Sequence, residues 1–462
     1  MKILFNLAML LLVLTVPRCR YAALNSEIDQ RLRQPIGINY PLTVKRIYAA
    51  AGFEPIWIKD ELKSDKTWSS MLLLDCVLQF GLSHDDYHPD QLLYPKLREM
   101  LKNPKKATAK DCGIFDLYLT DALITLINDL HFGKANPLFP RYQIDKGGIP
   151  DFSAEDVLKN ALMSKDFMAV VLDVQPKSAA YSDLQNYMKL IRGQYLDDCY
   201  EVPEAEVRKV AINMERLKWE VSRPTNYIEV NIPSYTLSYH LPDSTYSFSV
   251  TVGKPETPTP VLQSQITYIG TAPDWKVPQD MFSKEVLAKA IADPQFLANN
   301  HYTIYDSHQN LLVPSRAKLE QIRKNPSGYS ARQSLGCEPS LGRMAFHFPN
   351  ENGIYLYDGV KELLGLEERA LSHGCVGIAN ADRFAALLLR ADGQQALVPE
   401  LLAAAGSYKT KNFILKKQVP ISIVYQTCAI KDGLLVTYPD IYDRDPELER
   451  NLYRYAMVLT KD

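Results

Sequence analysis

The sequence of 462 residues is longer than most single domains, so two or three domains with sizeable hydrophobic cores are expected. Hydrophobic residues make up 46% of the chain and charged residues 23%, as in ordinary globular proteins. Because 52 basic residues nearly balance 54 acidic ones, the net charge of -2 gives no sign of a nucleic-acid surface, and no nucleic-acid partner is expected.

Residues 1–23 predict export. Lys2 precedes an apolar run from Ile3 to Val16, which is too short for an ordinary spanning helix but suits the hydrophobic region of a signal peptide. Arginines flank Cys19, so neither a good cleavage site nor a complete lipoprotein signal follows. The segment is therefore expected to be a signal peptide or a retained N-terminal anchor, and it is the one place where the sequence offers membrane attachment.

Residues 24–222 have the pattern of a helical domain. Stretches such as SSMLLLDCVLQFGL and FDLYLTDALITLINDLHFG carry apolar residues at spacings of three and four, as one buried face of a helix requires. The cluster HDDYH, from His84 to His88, has the composition of metal ligands, but it lies inside this helical region and no metal site is expected there.

From Asn226 the pattern changes to strands. NYIEVNIPSYTLSYHLPDSTYSFSVTVG alternates apolar and polar residues and is punctuated by proline, as in a run of strands and hairpins. Residues 279–335 return to helical spacing, with Ser283 as a candidate cap, and predict a helical insertion.

The chain returns to strands in RMAFHF and IYLYD. NADRFAALLLRADG then predicts a helix capped by Asn380, with Phe384, Leu387 and Leu388 on its buried side. Residues 426–462 predict a β-rich C-terminal extension with a hairpin turn at Lys431-Asp432-Gly433.

Seven cysteines are scattered along the chain without a CxxC pair, which rules out a zinc ribbon and does not fit a disulfide framework. Cys76, Cys112, Cys199 and Cys428 are expected to be buried small hydrophobic side chains. Cys337 lies in a glycine-containing loop and is a candidate neighbour of Cys375.

Ser372-His373-Gly374-Cys375 has the features of a nucleophilic cysteine site. A glycine directly before a cysteine lets the backbone turn tightly and leaves the thiol reachable, while neighbouring backbone amides can point at an oxyanion. His373 is close enough in sequence to line the same site.

Around Cys375 the chain resembles the L,D-transpeptidases, specifically the large periplasmic type with a helical scaffold before the catalytic domain. The family signature is a His, fourteen to seventeen residues, Ser/Thr-His-Gly-Cys, an apolar residue, and Asn or Arg. Fourteen residues separate Tyr357 from Ser372 and the central residues match, but Tyr357 replaces the His and Gly377 replaces the Asn or Arg. Blocks such as NMERLKW, YIEVNIPSYTL, PDWKVP and SLGRMAFHFPNENGIYLYD extend the likeness over nearly the whole mature chain.

The resemblance implies acyl transfer on peptidoglycan stem peptides. The Cys375 thiolate would attack the carbonyl of the third-position diamino acid, expel the terminal D-Ala and hold an acyl-enzyme. An amine of a neighbouring stem would then take the acyl group, giving a 3→3 cross-link in cell-wall synthesis or remodelling. Neither a nucleotide nor a metal cofactor is required. The resemblance also implies the periplasm or envelope of a Gram-negative bacterium and a cysteine that carbapenems acylate.

Tyr357 at the position of the family's histidine puts activity in question. A thiol with an ordinary pKa of about 8.5 is only about 3% thiolate at neutral pH. Loss of positioned proton transfer typically costs a further 10²–10⁴-fold. A tyrosine phenol can donate a proton but is a poor base at neutral pH.

Two histidines are candidates for a substitute base. His373 is one, although the resemblance places it on the oxyanion side with Ser372 and Gly374, and it could instead fix the loop by hydrogen bonds. His347 is the other. If RMAFHFPNENGIYLYD is a hairpin, His347 and Tyr357 share one face as diagonal neighbours about 7–8 Å apart. His347 could equally be a packed or solvated strand histidine.

The expected architecture is α+β, with a helical scaffold at 24–222, a β-rich catalytic domain at 223–425 and an extension at 426–462. The helical capping insertion is expected at 279–335. The expected activity is Cys375-dependent L,D-transpeptidation. The alternative is a catalytically impaired homologue that binds peptidoglycan or partner proteins, indicated by the joint departures at positions 357 and 377. A cysteine used for hydrolysis or protein attachment also stays open, and the sequence does not fix the oligomeric state.

Overall fold

The computed structural model describes residues 23–34, 37–58, 64–102, 107–192, 203–220 and 224–453, the last range with gaps at 273, 294, 301, 309, 314, 335–342, 360–363 and 408. The expectations for the N-terminal segment before residue 23, for Cys199 and for Cys337 lie outside these residues. Within the described part of the chain, no helix is both long enough and apolar enough to cross a membrane.

The described residues fall into two compact units. One lies within Met1–Val221, Thr427–Thr437 and Asp443–Asp462, and the other within Ser222–Gln426 and Tyr438–Tyr442. The predicted helical region and the predicted β-rich region are thus both present, and the protein is α+β.

The first unit is built from helices. They are α1 (23–33), α2 (Pro41–Ala50), α3 (Ser64–Asp75), α4 (Tyr94–Lys102), α5 (Ala109–His131), α6 (Arg141–Lys146), α7 (Ala154–Met163), α8 (Phe167–Leu172), α9 (Ala179–Arg192) and α10 (Glu204–Lys218). Helix α5 is buried over nearly its whole length, so the other elements pack around it. Its first turn is capped by the Thr108 hydroxyl, which accepts the Asp111 amide.

Buried carboxylates hold the loops of this unit onto α5. Asp116 accepts the backbone amides of Ile56, Trp57 and Ile58, and this satisfies donors that would otherwise be buried without partners. In the HDDYH cluster, which forms a short 3₁₀ turn at His84–Tyr87, the next residue His88 pairs with a carboxylate of α5. The imidazole of His88 therefore has a partner within the helical unit.

The C-terminal part of this unit is a hairpin followed by a helix. Strands β14 (Cys428–Lys431) and β15 (Leu434–Thr437) pair antiparallel, and α17 (Asp445–Leu452) follows. Asp432 and Gly433 both have positive φ, as a two-residue hairpin turn requires, so the predicted turn is confirmed. The expected burial of Cys112 and Cys428 is also confirmed, but it was wrong for Cys76, which is exposed because it lies just past the end of α3.

The second unit contains a closed sheet. Its strands are β1 (Tyr227–Asn231), β2 (Thr236–Leu241), β3 (Ser244–Gly253), β4 (Leu262–Thr271), β9 (Met344–His347), β10 (Leu356–Asp358), β11 (Ala370–Ser372), β12 (Val376–Ile378) and β13 (Lys411–Val424). The order is β11-β3-β12-β10-β9-β4-β13-β1-β2, and an added pairing of β2 with β3 closes the ring. Closure removes the open edges of the strands in the ring, whereas β11 lies outside the ring and pairs with β3.

Helix α15 (Ala381–Ala391) packs on this sheet, and α16 (Val398–Gly406) follows it. Phe384, Leu387 and Leu388 are buried, as predicted. Asn380 does stand at the start of α15, but the prediction that its side chain caps the helix was wrong. The backbone of Asn380 is in the left-handed conformation, and its side chain makes no capping hydrogen bond. A capping side chain normally comes from a residue with an extended backbone.

The insertion within 279–335 contains helices and also strands. The helices are α11 (Gln279–Met281), α12 (Leu287–Ala292), α13 (Phe296–Asn299) and α14 (Arg316–Lys324). A second sheet of order β5-β8-β6-β7 uses β5 (Asp274–Lys276), β6 (Tyr302–Asp306), β7 (Leu311–Leu312) and β8 (Tyr329–Ser334). The predicted cap at Ser283 was wrong, because Ser283 lies inside a π-helical turn, Phe282–Val286, that joins α11 to α12.

Candidate active site

Strands β3, β12, β10 and β9 lie side by side and position the predicted site residues. In the parallel pair of β10 and β12, Tyr357 lies opposite Gly377. In the antiparallel pair of β10 and β9, Tyr357 lies opposite Ala345, as the hairpin hypothesis predicted. Cys375 precedes Gly377 by two residues, so strand alternation places its thiol on the face that carries the Tyr357 side chain.

A neighbouring loop holds the backbone of the Ser372–Cys375 motif. The Lys254 amide donates to the Ser372 carbonyl over 2.9 Å, and the Thr259 hydroxyl donates to the Gly374 carbonyl over 2.9 Å. Gly374 has a φ of 108°, a conformation that a residue with a side chain rarely adopts. The turn before the nucleophile therefore needs glycine and is fixed by bonds from the β3–β4 loop.

Tyr442 holds the β3–β4 loop by two hydrogen bonds. Its hydroxyl donates to the Gly253 carbonyl over 2.6 Å and accepts the Thr259 amide over 3.1 Å. The Thr259 hydroxyl in turn accepts the Gly253 amide over 2.8 Å. These bonds form one network that ends at the motif, and thus limit its motion.

Cys375 is half-buried, and its thiol is neutral in the resting site. Burial raises the pKa of the Cys375 thiol to about 11, although a hydrogen bond from the Tyr355 backbone lowers it in part. At about pH 7 only about one thiol in 10⁴ is then ionised. Any reaction of this thiol as a nucleophile therefore requires a group that removes its proton.

Tyr357, at the position where the resemblance expects histidine, points its phenol into the same region. Burial raises the pKa of Tyr357, a hydrogen bond with the Thr251 side chain lowers it, and the charge of Cys375 raises it. Thr251 is buried on β3, directly opposite Gly377. Thr251, Gly377 and Tyr357 thus form one row across three strands.

Gly377 leaves space that its two neighbours fill. A Cβ atom on Gly377 would lie 2.5 Å from Thr251 Oγ1, 2.9 Å from Tyr357 Cζ and 3.0 Å from the Tyr357 hydroxyl oxygen. These separations are shorter than van der Waals contact. A side chain at 377 and the phenol in this position therefore exclude each other.

His347 packs between two tyrosine rings. Its ring stacks on Tyr268 with centroids 4.3 Å apart and on Tyr355 with centroids 5.7 Å apart. Burial lowers the pKa of His347, so it is neutral at neutral pH. Tyr355 is in turn close enough to Cys375 and Tyr357 for their charges to raise its pKa. The contact of His347 with the site runs through the Tyr355 ring.

His373 is exposed, unlike the half-buried thiol two residues further on. The structure therefore brings Tyr357 and Cys375 together with Ser372 and Gly374 close by, and it leaves His373 at the surface. Within the described residues, no group of three or more His, Cys, Asp or Glu side chains is arranged to hold a metal ion.

Sequence reasoning missed Thr251, Thr259, Tyr355 and Tyr442. Thr251 and Thr259 lie in VTVGKPETPTP, where threonine beside valine and proline is typical of any strand or turn. Tyr442 lies 67 residues beyond the motif, so only the fold brings it near. The sequence did give a signal for Tyr355, because Tyr355 and Tyr357 are two residues apart in a strand and therefore lie on the same face.

Comparison with known proteins agrees with this geometry. Residues 225–399 match the family model of the L,D-transpeptidase catalytic domain, and residues 42–188 match that of a scaffold domain. Residues 225–399 thus form an L,D-transpeptidase catalytic domain, and a scaffold domain precedes it. A Haemophilus influenzae protein named "Putative L,D-transpeptidase" is 32% identical over 243 residues, which is 52% of this chain and 49% of that protein. The chain thus spans about half the length of this curated relative.

The match to the catalytic-domain model covers the strands that carry the candidate site. Thr251, Tyr357, Cys375 and Gly377 all fall within residues 225–399. The scaffold match lies within the helical unit. Positions 357 and 377, where the resemblance leads one to expect other residues, therefore both lie inside the matched catalytic domain.

Proposed function

We propose that this protein is an exported L,D-transpeptidase that uses Cys375 to form 3→3 cross-links between peptidoglycan stem peptides. The observation that supports this most is the position of the thiol. Cys375 follows a glycine in a turn fixed by Lys254 and Thr259, on the same sheet face as the residue at the family's base position. A rigid turn of this kind holds a nucleophile at a fixed angle to a bound carbonyl.

The reaction follows from ordinary thiol chemistry. The Cys375 sulfur bonds to the carbonyl carbon of the third stem residue, and the bond from that carbon to the D-Ala nitrogen breaks. The thiol proton leaves on the departing amine, so the acyl-enzyme is neutral. An amine of a second stem then attacks the thioester and restores the thiol. Ser372 and Gly374 would lie on the oxyanion side, where the Ser372 hydroxyl accepts the Gly374 amide over 3.2 Å.

A second function is favoured by one observation. The thiol pKa is raised to about 11 and the neighbouring phenol is also neutral, so the resting site holds no ionised nucleophile. A protein with such a site could bind stem peptides or partner proteins through the same surface without turning them over. This catalytically impaired homologue is the alternative.

Acylation by a carbapenem separates the two functions. The purified protein is incubated with a carbapenem for hours and its intact mass is recorded, with Cys375→Ala as the matched control. The transpeptidase proposal expects one adduct per chain that Cys375→Ala lacks. Folded protein without an adduct would favour the impaired homologue instead. The test is independent of the stem chemistry, because the β-lactam brings its own reactive carbonyl.

The location and cellular role are part of the same proposal. Residues 1–23 would direct export as a signal peptide or keep the protein attached as an anchor, and the enzyme would act in the periplasm on the cell wall that sets cell shape. Fractionation of cells that express the full chain tests this. Cys375-dependent carbapenem labelling in the periplasmic or membrane fraction is expected, and labelling confined to the cytoplasm would contradict it.

A further inference from the structure

We propose that Thr251, Tyr357 and Gly377 form one proton-relay unit, in which the Tyr357 phenol carries the Cys375 thiol proton to the leaving amine. The Thr251 hydroxyl lies beside the phenol and positions it, and Gly377 provides the space in which both lie. The inference rests on the proposed function, because it concerns the acylation of Cys375. It assigns a catalytic role to a residue that replaces the family's histidine.

The strand register brings the three residues together. Tyr357 on β10 lies opposite Gly377 on β12, and Gly377 lies opposite Thr251 on β3. A glycine in the middle strand has no side chain between its neighbours, so Tyr357 and Thr251 meet across it. Both contact the space where a Gly377 Cβ would be, at 2.9 Å from Tyr357 Cζ and 2.5 Å from Thr251 Oγ1.

Cys375 directly precedes β12 and lies two residues before Gly377, so it is on the same face. Diagonal neighbours on adjacent strands lie about 7–8 Å apart at the backbone, within the reach of an aromatic side chain. The charge interaction between Cys375 and Tyr357 agrees with this closeness. The phenol therefore lies on the same sheet face as the thiol and beside the hydroxyl of Thr251.

The relay needs no ionised group before substrate binds. A phenol has one O–H donor and oxygen lone pairs that accept. As the sulfur attacks the carbonyl carbon, the thiol proton moves to the Tyr357 oxygen, and the original phenol proton moves to the D-Ala nitrogen as its bond to carbon breaks. The phenol ends as it began, and the net transfer is one proton from sulfur to nitrogen.

The departures at 357 and 377 are thus one change. An Asn or Arg side chain at 377 would occupy the volume that the phenol and the Thr251 hydroxyl share. With glycine at 377, tyrosine fits at 357 beside the Thr251 hydroxyl. This explains physically why both family residues are absent together.

The test compares two substrates in the purified full chain. One is a stem tetrapeptide, whose D-Ala amine must be protonated to leave. The other carries a nitrophenyl ester at the same carbonyl, whose aryl oxide leaves without a proton. Tyr357→Phe removes the carrier and keeps the ring. Thr251→Val removes the hydroxyl at nearly constant volume, and Thr251→Ser is the matched control that keeps it.

The relay predicts a loss specific to the amide. Tyr357→Phe should lower amide turnover by about 10²–10⁴-fold and reduce ester acylation far less. Thr251→Val should show a smaller loss of amide turnover. Thr251→Ser, which keeps the hydroxyl, should turn over the amide at about the original rate. The pH profile adds a second readout. Amide turnover should be nearly flat from about pH 6 to 8 in the original protein, but should rise about tenfold per pH unit in Tyr357→Phe, where only free thiolate reacts.

The outcomes separate this inference from the proposed function. If the ester acylates Cys375 but Tyr357→Phe leaves the ratio of amide to ester turnover and the pH slope unchanged, the relay is wrong while the cysteine function stands. If neither the ester nor a carbapenem acylates Cys375 in the original protein, the proposed function fails and the relay fails with it. Cooperative thermal unfolding followed by circular dichroism shows that each variant is folded, because the exposed thiols of an unfolded chain would also react with an activated ester.

Discussion

The substitution Gly377→Ala tests the shared volume at the centre of the site. The added Cβ would lie 2.5 Å from Thr251 Oγ1 and 2.9 Å from Tyr357 Cζ, both within strands that are hydrogen-bonded on each side. Relief requires the phenol to rotate away or the strands to separate. Inserting a methyl group into such a packed place typically costs about 1–3 kcal/mol. For a domain of this size that is a fall of about 2–10 °C in Tm.

Thermal unfolding followed by circular dichroism measures the effect, and amide turnover measures the displaced phenol. Gly328→Ala is the matched control, because a Cβ there meets nothing within 4 Å. Thr251→Ala removes the closest contact, so the double variant Gly377→Ala/Thr251→Ala should lose less than the sum of the two single losses, by about 1 kcal/mol. Additive losses, or a Gly377→Ala protein as stable as the Gly328→Ala control, would refute the packing described here.

Three other predictions concern charge and burial. Because the pKa of Cys375 is raised to about 11, the rate of iodoacetamide alkylation should rise about tenfold per pH unit from about pH 7 to 10, and a plateau near pH 8.5 would contradict this. Burial raises the pKa of Asp129 on α5 to about 6. Between about pH 4 and 6 the folded state therefore holds a proton that the unfolded state has released. The free energy of unfolding should fall by about 1–3 kcal/mol as the pH rises over this range. Asp129→Asn should make the free energy of unfolding, measured by denaturant titration at each pH, depend less on pH. An unchanged pH dependence would mean that other groups cause it. Asp116→Ala should lower the free energy of unfolding by about 3–5 kcal/mol in the same titrations, because three loop amides lose their buried acceptor, and a loss under 1 kcal/mol would contradict that role.

Much of the fold could be predicted because its signals are local. Apolar spacing predicted the helical unit, strand alternation predicted the sheet, and Asp432-Gly433 predicted a hairpin turn. The register of β9 against β10 also followed from a short connection between two alternating runs, so Ala345 opposite Tyr357 could be anticipated.

The insertion shows where local signals stop. Its strand β8, YSARQS, is short and mostly polar, so its pairing with β6 is decided by the partner strand rather than by periodicity. The closure of the main sheet is similar. β2 pairs with both β1 and β3, but the ring through β13 depends on a strand almost two hundred residues away in sequence, which no local pattern reports.

The candidate site divides in the same way. Cys375, Gly374 and Ser372 were predicted because the motif is contiguous, and Tyr357 because the spacing to it is fixed. Thr251 could not be predicted, since its role depends on the alignment of β3 with β12. The role of His347 as a substitute base stays a hypothesis. Because His347 stacks on Tyr355, any effect of His347 on the Cys375 thiol would pass through the Tyr355 ring.

Cross-linking by the purified protein tests the central claim most directly. Disaccharide tetrapeptides are incubated with the original protein and with Cys375→Ala, and the products are separated and sequenced by mass spectrometry. The account predicts dimers joined from the third residue of one stem to the third residue of the next, with release of D-Ala, and none with Cys375→Ala. Dimers formed equally by both proteins, or folded original protein that acylates with a carbapenem but never forms such dimers, would contradict the account.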